Sequence, residues 1–171
     1  METGEFLIRW SARLAMLLLL FGFALRLTLQ ERAVPGWAGR WVWTCGGIIF
    51  LFHVAAAFHL AHGWSHNLAY AATARQTREA TGLDWGGGLY ANYAFALVWL
   101  FDVAWWWIAP ESYSKRNQAL NWAINGFLAF MAFNASVVFV HGAARWVALA
   151  ACLFLLALFA HRLARGDRTS P

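Results

Sequence analysis

The chain reads as an all-α polytopic membrane helix bundle of five transmembrane helices, and three observations predict it. Hydrophobic residues make up 61% of the 171 and charged residues only 12%, about half the ~25% that a soluble domain carries. So few charges cannot solvate a globule of this size. Apolar stretches near the ~20 residues that cross ~30 Å of hydrocarbon recur at approximately residues 6–29, 41–64, 89–108, 119–140 and 144–163. Many of the twelve tryptophans fall at the ends of these stretches, among them Trp41, Trp64, Trp85, Trp107 and Trp146, where indole rings favour the headgroup boundary. The connections are short, so residues 1–171 are expected to form a single transmembrane helical domain.

Within the first stretch, Arg9 and Arg13 precede an apolar core, Leu14–Leu25, before Arg26. That order resembles a signal peptide, but no small-residue cleavage site follows in Thr28–Pro35, where Glu31 and Arg32 intervene. The expectation is an uncleaved helix whose arginines snorkel to the interface. Four spans plus an interfacial N-terminal helix is the alternative. The second stretch need not stop at Trp64, because Asn67–Ala80 is rich in helix formers and Gly82 makes a stop signal. One helix is therefore expected to run on to about residue 80, kinking near Gly63. The Gly86-Gly87-Gly88 run permits a tight reversal into the third stretch, which Pro110 ends. Arg165–Pro171 reads as a disordered tail.

Basic residues orient the bundle. Arg9, Arg13, Arg75, Arg78 and Arg145 fall on one side; Arg26, Arg32, Arg40, Lys115, Arg116, Arg162, Arg165 and Arg168 fall on the other. Five against eight favours a cytoplasmic C-terminus and an external face at the opposite end. The net charge of +5 reflects these flanking residues, and no basic run with interleaved aromatics points to nucleic acid. Cys45 and Cys152 lie at different depths, which excludes a disulfide between them and predicts buried apolar thiols.

Four histidines are the leading functional candidates. His59, His62 and His66 fall at i, i+3 and i+7 on a stripe that also holds Tyr70, Thr73 and Thr77. At ~1.5 Å per residue, His59 lies about 27 Å above Trp41, and His141 of the fourth span about 33 Å above Ala119, on the same side. Neutral imidazoles at such spacings on one helix, completed by His141 from another, suit a transition metal. One axial histidine from each helix would suit b-type haem. The 13-residue spacing of His53 and His66 resembles the paired histidines of the dihaem cytochrome b family, but the fourth span carries only His141, so the match ends at two residues.

A second feature lies deeper. Asp102 and His53 are the ionisable groups nearest mid-membrane, and a lone buried carboxylate must be paired or protonated. His53 or Asn125 is the expected partner. On that reading Asp102 is neutral glue, Asp102→Asn is tolerated and Asp102→Leu is costly.

The first functional expectation is a small membrane subunit that binds a transition metal or b-type haem at His59, His62, His66 and His141, for electron transfer or metal-dependent oxidation. The second is a non-catalytic structural or assembly subunit whose polar layer packs helices. The third is proton or ion translocation through Asp102. The expected partners are the lipid bilayer and other membrane subunits or a second copy. No GxSxG elbow and no phosphate-binding glycine loop followed by lysine occurs.

Overall fold

The computed structural model describes residues 2–28 and 36–166. They form α1 (Glu2–Thr28), α2 (Gly36–Leu60), α3 (His66–Thr81), α4 (Gly88–Ile108), α5 (Pro110–Ser114), α6 (Gln118–Phe133), a π-helical turn (Asn134–Val138) and α7 (Ala143–Gly166). Among them, Thr3–Leu27, Trp37–Leu60, Gln118–Val138 and Ala143–Arg162 are long and apolar enough to cross a membrane. By length and composition this is a multi-pass helical membrane protein. The stretch 29–35, where a cleavage site would fall, and the tail beyond 166 lie outside the described residues; α7 itself continues past Arg165.

α1 and α2 form an antiparallel hairpin. Near one end Gly4 faces Leu60, and near the other Gly22 faces Trp43. α1 therefore runs along α2 and not across its end. The closeness comes from glycine: a Cβ on Gly22 would lie 2.7 Å from the Trp43 ring, and one on Gly46 would lie 2.8 Å from the Trp99 ring. Trp43, Trp99, Leu19 and Leu128 are fully buried and bring α1, α2, α4 and α6 together in one core. Small residues that admit a bulky neighbour are the usual device for close helix packing where lipid supplies no hydrophobic drive.

The helix expected to extend from α2 to about residue 80 is broken. Gly63 (φ 53°) and Trp64 (φ 61°) adopt left-handed backbone, which an α-helix cannot pass through. Ser65 then caps a new helix by accepting from the Leu68 amide at 3.3 Å. α3 is amphipathic rather than greasy and ends where expected, at Gly82 (φ 81°), whose N–H bonds back to the Arg78 carbonyl. Gly86 allows the return into α4, since a Cβ there would strike Tyr70.

α4 runs antiparallel to α2: Tyr93, near its start, meets His66 at the α2–α3 junction, and Asp102, near its end, meets Trp43 near the start of α2. At the far end of α6 the chain widens into the π turn, where the Phe139 amide bonds to the Asn134 carbonyl, and leaves helix before His141. Asn134 satisfies its own amide on the Phe130 carbonyl at 2.8 Å. α7 packs on α1 and the π turn at the edge of the bundle, and among the described residues none of its span is buried. Both cysteines are free, and Cys45 is exposed rather than buried as the sequence suggested.

Candidate functional site

Asp102, two turns before the end of α4, is completely buried. A carboxylate there needs donors on both oxygens and positive charge nearby. The connection after α4 supplies two of the four groups that do this. Pro110 ends the run of α4 and, with φ fixed by its ring, starts the single turn α5. That turn sends Tyr113 and Arg116 back against the bundle. The Arg116 guanidinium, 8% exposed, meets Oδ1 at 2.7 Å. Tyr113 donates its hydroxyl to Oδ2 at 3.0 Å, and the Trp43 indole N–H donates to the same oxygen at 2.8 Å. Arg26, near the end of α1, stands 3.6 Å from Oδ2.

A second ring of contacts orients these donors. Arg26 donates to Asn125 Oδ1 at 2.9 Å and to the Tyr113 oxygen at 3.0 Å. Arg116 also donates to Asn121 Oδ1, which accepts from Asn125 Nδ2 at 2.9 Å. The Arg26 guanidinium lies 3.9 Å from the Trp43 ring centre and that of Arg116 lies 4.1 Å from the Tyr113 ring centre, so both cations also use π faces. Trp106 stacks flat on Tyr113, with centroids 5.0 Å apart and planes 4° apart. Burial is the main cause that holds the Tyr113 phenol above its ordinary pKa, with Asp102 adding to it against Arg26 and Arg116. It therefore remains a hydrogen-bond donor. Two guanidiniums and one carboxylate leave the node with one net positive charge, and five elements, α1, α2, α4, α5 and α6, each contribute to it or its second ring.

This arrangement corrects the expected partners of Asp102. His53 is not among them: its Nδ1 lies 3.0 Å from the Ile8 carbonyl and 3.3 Å from Ser11 Oγ, both on α1. Asn125 contributes indirectly, through Arg26. Arg26, read from sequence as a snorkelling end residue, and Arg116, read as a flanking charge, are the actual counter-ions. A signal was available for Arg26. It lies two residues before the end of α1, Asp102 lies six before the end of α4, and both helices end on the same side.

The four remaining candidate histidines are dispersed over the other end of the bundle. The α2–α3 break at Gly63 and Trp64 places His66 on a different helix from His59. His59 accepts from the Trp64 indole at 3.2 Å through Nδ1. His62 packs edge-on to Phe58 and lines a shallow cleft of about 350 Å³ with Leu68 and Arg75; burial lowers its pKa. His66 is held between Tyr93, at 3.1 Å from Nδ1, and Tyr90, at 3.5 Å from Nε2. His141 borders a separate cleft with Gln76 and Glu79. Among the described residues no three His, Cys, Asp or Glu side chains are grouped to hold a metal ion.

No family model, curated protein or solved structure matches this chain. Its chemistry rests on its geometry.

Proposed function

We propose that the chain is a non-catalytic multi-pass membrane subunit, in which the internal polar residues fasten helices and the outer apolar faces meet lipid and other membrane subunits or a second copy. The observation that carries this reading is the saturation of Asp102. Both oxygens are engaged, by Arg116 on one side and by Trp43, Tyr113 and Arg26 on the other. The two guanidiniums that hold it oppose the approach of a travelling cation, which counts against ion translocation through Asp102.

In this reading α4 is a fifth span. Its 21 residues cover about 32 Å, and it runs antiparallel to α2 over the same thickness. Its tryptophans and tyrosines lower its apparent hydropathy, yet such rings belong at membrane boundaries. The basic residues at the node's end, Arg26, Arg40, Lys115, Arg116 and Arg162, support a cytoplasmic placement of that end.

A second reading, ligation of a transition metal or b-type haem, draws on one observation. The Ser11 hydroxyl is engaged with the Leu7 carbonyl at 2.7 Å, so His53 Nδ1–H donates to the Ile8 carbonyl and leaves Nε2 with its lone pair available. Ligating histidines are commonly held this way. His59, His62, His66 and His141 would then be accessory imidazoles at the surface.

One preparation tests both. Protein extracted in mild detergent is examined by absorption spectroscopy, metal analysis and native electrophoresis. The first reading expects no stoichiometric metal or haem and migration in an assembly larger than the 19.2 kDa chain. Stoichiometric haem or metal that disappears in His53→Ala would replace it with the second. A cofactor-free monomer would refute both.

A further inference from the structure

We infer that Arg40, with Trp106 and Trp107, forms a binding site for the phosphate diester headgroup of an anionic phospholipid. Arg40 lies three residues into the span that begins at Trp37. Its guanidinium carbon is 5.5 Å from the Trp106 ring centre and 4.9 Å from that of Trp107. Its Nε is buried and has no hydrogen-bond acceptor. Among the described residues it also has no ion-pair partner, the pairs present involving only Arg9, Arg26, Arg78 and Arg116.

Among the described residues no anion is paired with Arg40. Asp102 is already shared by Arg26 and Arg116, and its node carries net positive charge. Arg162 spends a donor on the Arg26 carbonyl at 2.7 Å and adds another cation to the same end. Two indole faces stabilise a guanidinium but offer its N–H groups no oxygen. A half-buried Arg at a bilayer boundary, unpaired among the described residues, suits an acceptor that is anionic and has several oxygens, and the guanidinium fork matches phosphate.

The site is also held in place before any ligand arrives. Thr44 Oγ1 donates to the Arg40 carbonyl at 2.7 Å and accepts from the Trp107 indole at 2.9 Å, which ties Trp107 to the same turn of α2. Trp41 packs edge-on to Trp107, with centroids 5.1 Å apart. Trp37, Trp41 and Trp107 turn exposed indole surface outward, which suits the glycerol and upper acyl region of a lipid. That apolar rim selects a lipid phosphate over a free one.

The test uses the full chain in detergent micelles and reads bound lipid by native mass spectrometry, with phosphatidylglycerol and phosphatidylcholine in equal amounts. Wild type and Arg145→Gln, a change at the opposite end of the bundle, should both hold phosphatidylglycerol in preference by about fivefold, the effect of one interfacial arginine. Arg40→Gln should bring the ratio close to unity. Arg40→Lys keeps the charge but has no Nε–H and loses the fork, so its ratio should fall to roughly half of wild type. A wild-type ratio in Arg40→Gln or in Arg40→Lys would overturn the assignment. So would the absence of any preference in wild type, or displacement of the lipid by an equal concentration of inorganic phosphate. If Arg40→Gln does not fold, as judged by its helicity, Arg40→Lys decides alone.

Discussion

Replacing Arg116 with Met removes the shortest ion pair of the node while keeping an unbranched apolar stem. Asp102 has no exposure and Arg116 only 8%, so solvent screens the pair little. Oδ1 loses its one donor, and the nearest remaining charge is Arg26 at 3.6 Å from the other oxygen. Breaking a buried pair from one side costs about 3–5 kcal/mol. The continued donation by Trp43 and Tyr113 places this case near the lower end, at about 3 kcal/mol. Asp102→Asn should cost a similar amount, contrary to the sequence-based expectation that it is tolerated. The amide cannot neutralise two guanidiniums, and its NH2 would meet either the Arg116 donor or the Trp43 and Tyr113 donors. Asp102→Leu combined with Arg116→Met removes the pair together and should cost less than the two single changes added, with a coupling of about 2–3 kcal/mol. Unfolding in mixed micelles, followed by loss of helicity against denaturing detergent, measures wild type and the four variants. Strict additivity, or an Arg116→Met protein within about 0.5 kcal/mol of wild type, would refute the view that this pair fastens the bundle.

Three further outcomes follow from other regions of the fold. Gly46→Ala should destabilise by about 1–3 kcal/mol in the same assay, because the new methyl meets the buried Trp99 ring at 2.8 Å. Gly63→Ala meets no neighbouring atom, so its cost of about 1–2 kcal/mol would come from the left-handed backbone alone; Gly63→Asn should recover much of it, which thermal melting can compare. Tyr113 has a pKa raised above its ordinary 10.0, mainly by burial. The unfolded chain therefore releases this proton first, and the stability Tyr113 contributes is full below pH 10 and lost as pH rises through the higher folded value. Phenolate absorbance should show a late-titrating component, and Tyr113→Phe should diminish it.

Much of the helical framework was legible in sequence because apolar length and aromatic ends report directly on the bilayer. The predicted 144–163 stretch and the apolar span Ala143–Arg162 differ by one residue at each end. Boundaries failed where backbone conformation decided them. The α2–α3 break depends on two consecutive left-handed residues, one of them Trp64, and tryptophan carries no warning of that. A kink near Gly63 was expected, but a full break starts a new helix at His66, so the helical period that linked it to His59 and His62 does not cross the junction. The Asp102 site was half legible. A buried acid demands a cation, and Arg26 matched it in depth. Arg116 was harder, because its position depends on α5 folding back under Pro110, and connection geometry has no periodic signature.

The separation of the counter-ions along the chain bears on how the protein is made. Arg116 follows Asp102 by 14 residues, whereas Arg26 precedes it by 102 − 26 = 76. Closing the shorter loop is favoured by roughly 1.5 kcal/mol of chain entropy. As α4 leaves the ribosome, its acid therefore meets the arginine emerging just behind it, before α6 has been made. The α1–α2 hairpin, synthesised first, would wait with Arg26 reaching toward the headgroups until that neutralised hairpin docks. If α4 is the fifth span proposed above, a short, nearly charge-balanced α4–α5 unit would spare the insertion machinery a bare carboxylate in the bilayer, and the last tightening of the node would mark the joining of two halves made at different times.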